Sequence, residues 1–154
     1  MSQSLSQQWI HIIFSTKNRY PFFQTAALRE RIYDYMAGIC RAQKCHAAII
    51  GGVEDHIHML VHLNKNLALS AFIEEVKSSC SKWIKTLDDH SNELNKFYWQ
   101  AGYAAFSVSQ SQLEIVTQYI KNQEEHHKNR NFQDELRKFL SQHNVNFDER
   151  YLWG

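Results

Sequence analysis

The chain has 154 residues, 44% of them hydrophobic and 21% charged, with 17 Lys and Arg balanced by 16 Asp and Glu. A formal net charge of +1 argues against a nucleic-acid grip built on bulk positive charge, so any basic surface has to be local. Cys40, Cys45 and Cys80 are odd in number and contain no Cys-x-x-Cys pair, which argues against a disulfide framework or a zinc ribbon and fits a reducing cytoplasmic setting.

The length suits one domain over 1–154 with a substantial core. Met1 to Gln8 is Ser/Gln-rich and is expected to fray. Trp9 to Ser15, β-branched and aromatic, reads as a first strand; its apolar run is too short for a membrane span or a signal-peptide core. A basic loop, Thr16 to Pro21, follows. Thr25 is placed to cap a helix with Leu28, Ile32, Tyr35, Met36 and Ile39 on one stripe, interrupted by Gly38. His46 to Ile50 reads as a second strand, and Gly51 to Asp55 as the turn into a third, Asp55 to Leu63. Leu69, Phe72, Ile73, Val76, Cys80, Trp83, Ile84 and Leu87 follow helical spacing for over four turns. The outer face of that helix carries Lys77, Ser78, Ser81, Lys82 and Lys85, either as a solvated face or as a phosphate-contacting one.

Asp88 to Lys96 reads as a polar connection and Tyr98 to Val108 as containing a fourth strand. Ser111-Gln112-Leu113-Glu114 has the form of a capping box, so a helix is predicted to start there, to turn Leu113, Val116 and Ile120 inward, and to reach about Asn129. A last helix near Phe132 to Ser141 carries Phe132, Leu136, Phe139 and Leu140 on one stripe, and the aromatic tail from Phe147 to Trp153 is expected to dock. The order β-α-β-β-α-β predicts an α+β, ferredoxin-like fold: a four-stranded antiparallel sheet with two helices on one face.

The third strand holds the main chemical signal. Ile57, Met59, Val61 and Leu63 alternate with His56, His58, Leu60 and His62. With a rise of ~3.3 Å per residue, His56 and His58 stand about 6.6 Å apart on one side, close enough to converge on a metal ion, while His62 is too far along to join them. The apolar face should meet the two helices, which leaves the histidines on the opposite face. The capped helix is the best candidate to cover them. On it Tyr119 and Gln123 are four apart and share a face. Gln123 offers an amide oxygen that a hard divalent cation accepts, and Tyr119 a phenol that can become a nucleophile. His126 and His127 are alternative ligands, though an adjacent pair at a polar helix end is more often solvated. His11, His46, His90 and His143 have no nameable partner.

These stretches resemble one family. Asp55-His56-Ile57-His58-Met59-Leu60 is similar to the histidine–hydrophobic–histidine (HUH) motif of single-strand DNA nucleases, and Tyr119-Ile120-Lys121-Asn122-Gln123 to the single-tyrosine motif of their transposase branch. Phe14 to Arg19, Trp99 to Val108 and Asp148 to Trp153 resemble the same proteins, the transposases of the smallest bacterial insertion sequences and a branch tied to repetitive extragenic palindromes. The resemblance implies a homodimer that binds hairpins near the ends of a single-stranded element. It implies Mg²⁺ or Mn²⁺ held by His56, His58 and Gln123, and attack by Tyr119 to give a 5′-phosphotyrosine and a free 3′-OH. The tyrosine helix, lying on or near the histidine face, can in such proteins complete the partner's site. Lys17, Arg19, Lys77, Lys82 and Lys85 become candidate DNA contacts. The near-neutral charge is a departure, since a hairpin grip favours several cationic contacts and Glu54, Asp55, Glu124 and Glu125 adjoin the proposed site.

A histidine-nucleophile nucleotide hydrolase would need a third alternating histidine where Leu60 stands. A two-histidine phosphoesterase would need a second His-x-Ser/Thr pair, which is absent from the sequence. The remaining rival is a non-catalytic, domesticated hairpin-binding protein in which Tyr119 has no chemical task.

Overall fold

The computed structural model describes residues 2–87 and 93–153; most of the predicted connection from Asp88 to Lys96, with His90, lies outside the described residues. Four strands, β1 (Trp9–Ser15), β2 (His46–Gly52), β3 (His56–His62) and β4 (Ala104–Val108), form one antiparallel sheet in the order β2-β3-β1-β4. Helices α1 (Ala26–Ala42) and α2 (Leu69–Ile84) cover one face, as the ferredoxin-like reading requires. Thr25 caps α1 by accepting the Leu28 N–H at 3.1 Å, and the helix runs through Gly38 without a break.

Strand alternation divides the molecule into two cores. Ile12 and Phe14 of β1 and Ile57, Met59 and Val61 of β3 pack with Ile32 and Met36 of α1 and Phe72, Val76 and Cys80 of α2. Burying each of the larger of these side chains contributes about 1.5–3 kcal/mol. On the other face Ile13 and Phe106 meet α5 (Phe132–Gln142), whose Phe132, Leu136 and Leu140 form the predicted stripe. The tail docks as expected. It forms a short α6 (Glu149–Leu152), and Leu152 and Trp153 pack against this second core.

The structure departs from the sequence reading in three places. Gly51 and Gly52 are strand residues of β2, paired with His58 and Ile57; the turn is confined to Val53–Asp55. A Cβ on Gly51 would lie 2.7 Å from the carbonyl oxygen of Ile120, so glycine here permits a close approach of α3 (Leu113–Lys121) to the sheet. The capping box does not form. A 3₁₀ turn at Gln110–Gln112 precedes α3, the Ser111 hydroxyl pairs with that of Ser109, and no side chain caps the helix. Nor does the helix reach Asn129. It stops at Lys121 because Asn122 leaves helical geometry (φ −100°, ψ 26°), and a separate turn, α4 (Gln123–His126), follows.

Candidate active site

β3 sets the site's floor. Its register aligns Ser15 with His56 and Ile13 with His58, so both imidazoles stand on the face away from α1 and α2. Both are fully buried, because α5 and the α3–α4 corner close over them. Asp55, one residue before the strand, fixes the first ring through His56 Nδ1···Oδ1 at 2.6 Å. His11, from β1, fixes the second through His58 Nδ1···Nε2 at 2.8 Å. The Nε2 atom of each ring is thereby turned into the cluster.

Gln123 and Tyr119 lie beside the two histidines. Gln123 is 1% exposed, and its Oε1 accepts from His56 Nε2 at 3.2 Å and from His127 Nε2 at 3.1 Å. Tyr119 is half-buried, with His126 stacked on its ring at a centroid distance of 4.4 Å. Its hydroxyl donates to Glu135 Oε2.

Glu135 is the residue that sequence reasoning missed. It is 1% exposed, and its two oxygens divide the site. Oε1 accepts from His58 Nε2 at 2.8 Å and lies 3.4 Å from His56 Nε2. Oε2 takes the Tyr119 hydroxyl, the Gln123 amide at 3.3 Å and His127 Nε2 at 3.2 Å. The available signal was an acid at position 135 inside the apolar stripe of α5, where a solvated glutamate does not belong. His127, expected to be solvated, is instead drawn inward. His11, for which the sequence names no partner, holds His58.

The hydrogen bonds fix the protons. A carboxylate only accepts, so His58 donates from Nε2; as a neutral ring it accepts at Nδ1, and His11 donates from Nε2. Burial accordingly holds His58 down at about 4. Burial also opposes charge on His56, but hydrogen bonds to Asp55 and Glu135 more than offset it and hold the ring up at about 9. Burial opposes the Glu135 charge in turn, and the surrounding imidazoles keep its carboxyl well below the usual range. Burial and the adjacent carboxylate raise the Tyr119 phenol well above its ordinary value. The resting site thus contains an ionised Glu135, a protonated His56 and a neutral Tyr119.

The donor chemistry suits a divalent cation. Ligand atoms of His56, His58, His127 and Glu135 all lie within 4.8 Å of one another, compared with the edge of about 3.4 Å spanned by donors around a tetrahedral ion with 2.1 Å bonds. This group can hold a metal ion after sub-ångström to ångström closure.

The candidate DNA-contacting cations are dispersed. Lys17 and Arg19 lie in a 3₁₀ turn just past the β1 end that pairs with His56, tied there by Thr16 N–H donating to the Asp55 carbonyl at 2.9 Å. Asn18 and Arg19 both have φ of 56°, a left-handed conformation costly for residues with a Cβ. Lys77 and Lys82 of α2, and Lys85 just past its end, lie across the sheet from the histidines. Lys77 is a strut: its ammonium donates at 2.8 Å to the carbonyls of Gln100 and Gly102 and sits over the Phe14 ring. Lys85 lies over Tyr98, its Nζ 4.1 Å from the ring centre, and Lys82 is exposed.

Residues 4–123 match the family model described as "Transposase IS200 like". No curated protein matches the chain. Among solved structures, one described as a candidate transposase of Deinococcus radiodurans R1 superposes with a TM-score of 0.62 at 18% identity, covering 80% of this chain and 98% of that one. A REP-associated tyrosine transposase bound to a REP hairpin superposes with a TM-score of 0.58 at 14% identity, covering 82% and 74%. At these identities the superpositions establish the shared fold.

Proposed function

We propose, from the premise that the chain belongs to the family of IS200-like transposases, that it acts as one domain, 1–154, that cleaves and rejoins single-stranded DNA through Tyr119. One observation carries this reading: the Tyr119 hydroxyl is held by Glu135 inside the same buried cluster as His56, His58 and Gln123. In the cleavage step the phenol oxygen forms a bond to phosphorus as the bond to the 3′ oxygen breaks, leaving a 5′-phosphotyrosine and a 3′-OH. Glu135 Oε2, which accepts the phenol hydrogen, holds the phenol oxygen in place without being basic enough to keep the proton; that proton passes to solvent, and the departing 3′ oxygen gains one from the site or solvent. The raised proton affinity of Tyr119 means that the phenol gives up its proton as the bond to phosphorus forms, not beforehand.

His56, His58 and Gln123 would hold Mg²⁺ or Mn²⁺. When bound, such an ion supplies charge stabilisation to the scissile phosphate and its leaving oxygen. Asp55 and His11 orient the two imidazoles, and α5 excludes water. The substrate is a single strand carrying hairpins near the element's ends, and the working form is a homodimer in the cytoplasm. The hairpin-bound structural neighbour supports the hairpin assignment. Lys17 and Arg19 supply contacts beside the site. Lys82 and Lys85, with Lys77 behind them, serve DNA that wraps to the opposite face. Among the described residues no helix is long and apolar enough to cross a membrane.

The test uses single-stranded oligonucleotides from the DNA flanking the gene, incubated with protein and Mg²⁺ or Mn²⁺ and separated on a denaturing gel. A covalent adduct with wild type, absent with Tyr119→Phe or with chelator, is expected. Hairpin binding with no adduct under any of these conditions would overturn the enzymatic reading in favour of a domesticated binding protein.

A further inference from the structure

Glu135 lies twelve residues beyond the end of the family match at Gln123, on a helix that the match does not include. Burying a carboxylate costs several kcal/mol unless strong partners surround it. Among the described residues, Glu135 receives hydrogen bonds from imidazoles, a phenol and an amide, and from no lysine or arginine. The ring nitrogens that meet Oε1 are the ones left over after Asp55 and His11 have taken the other side of each ring. Two oriented imidazoles and one buried carboxylate facing a common centre is a ligand arrangement.

We infer that Glu135 is itself a ligand of the site's cation, through Oε1, forming with His56 and His58 a two-histidine, one-carboxylate set. The inference rests on the metal-dependent reading above and adds a donor to it. A carboxylate binds a divalent ion more strongly than the neutral Gln123 amide, so Glu135 contributes more of the affinity than Gln123 does. His127 is the nearest fourth donor. Two imidazoles with one carboxylate favour a first-row transition ion such as Mn²⁺ over Mg²⁺, whose preferred donors are all oxygen. Because Oε2 keeps the Tyr119 hydroxyl, the same carboxylate links ion and nucleophile at a fixed spacing.

The experiment is a direct titration of the full-length protein with Mn²⁺ and with Mg²⁺ by calorimetry, with no DNA present, alongside thermal melts of each variant. Glu135→Gln is expected to weaken Mn²⁺ binding by about 100-fold or more, above the 10–100-fold that loss of a ligand's hydrogen-bond partner costs. Gln123→Ala is expected to weaken it by less. Wild-type affinity in a folded Glu135→Gln, with binding abolished in His56→Ala, would overturn the Glu135 ligand while leaving the proposed nuclease intact. No Mn²⁺ or Mg²⁺ binding by wild type would overturn both. Should Glu135→Gln fail to fold, a wild-type crystal soaked in Mn²⁺ decides: Glu135 Oε1 in the ion's coordination shell supports the inference, and an ion held by Gln123 with Glu135 outside the shell overturns it.

Discussion

Gly51→Ala would disturb the nucleophile without replacing any proposed ligand. The new Cβ would lie 2.7 Å from the Ile120 carbonyl oxygen and 3.1 Å from Ile120 Cγ2. An unstrained C···O contact is about 3.3 Å or longer, so the backbone of α3 has to retreat by roughly 0.6 Å. That backbone carries Tyr119 one residue away. Overpacking of this kind costs about 1–3 kcal/mol, and 2 kcal/mol would lower Tm by about 4–8 °C in a chain of this size. A displacement of about 1 Å at a reacting group can cost 10²-fold in rate, so roughly 0.6 Å is expected to slow adduct formation on the order of tenfold. Single-turnover adduct formation well below the new Tm reads this directly. Mn²⁺ affinity should fall by no more than it does in Gln123→Ala, because His56, His58 and Glu135 lie on β3 and α5 and only Gln123 follows α3. A rate within twofold of wild type, or loss of Mn²⁺ binding with the rate preserved, would refute the claim that this glycine sets the seat of the tyrosine helix.

Three other outcomes follow from single contacts. His11→Ala removes the donor to His58 Nδ1 and should weaken Mn²⁺ binding by about 10–100-fold, with recovery in His11→Gln, whose amide restores a donor; calorimetry decides. Arg19→Gly should raise stability by about 1 kcal/mol through relief of its left-handed backbone, yet weaken hairpin binding and reduce the slope of log affinity against log salt by about 1; melting and salt-dependent binding curves separate the two effects. Lys77→Ala should lower Tm by several degrees, since it leaves two backbone carbonyls without their charged donor, whereas Lys82→Ala should stay within about 0.5 kcal/mol of wild type; parallel melts check the pair.

The sheet was legible because period-two alternation and one-sided burial are the same constraint seen twice: Ile57, Met59 and Val61 had to find the helices, and His56 and His58 then had nowhere else to face. Thr25 was legible because a cap is a local bond. The failures share a cause as well. Ser111 has the local chemistry of a cap, but the chain enters α3 through a 3₁₀ turn and its hydroxyl finds Ser109. The break at Asn122 carries neither Gly nor Pro. It is set by tertiary packing, which brings Gln123 to His56 and His127 to Glu135. Glu135 and His11 are separated from the histidine motif by 77 and 47 residues in their contacts with His58, so no spacing rule connects them.

The near-neutral charge, the one feature that opposes a DNA-binding role, is answered by pairing. Glu124 next to the site is held by Arg29 at 2.9 Å, Glu125 by Lys128 at 2.9 Å, and Asp55 by His56 at 2.6 Å. The two pairs at the surface add little to stability, but each of the three cancels a negative charge that a phosphate would otherwise meet. The opposing acids on the site's border are therefore largely neutralised within the protein, while Lys17 stands exposed at the end of β1 beside the histidine strand. What a DNA strand encounters is set by this local field and by the cation the site can hold, and the sum over 17 bases and 16 acids does not describe it. Reversing one such pair makes the argument quantitative. Arg29→Ala would expose the Glu124 charge beside α3, and single-strand affinity at low salt is expected to fall severalfold, with the difference from wild type closing as ionic strength rises and the Debye length drops below about 5 Å. A difference that persists undiminished at high salt would mean that Arg29 acts through the fold of Phe23, whose carbonyl it also holds at 2.7 Å, and not through charge.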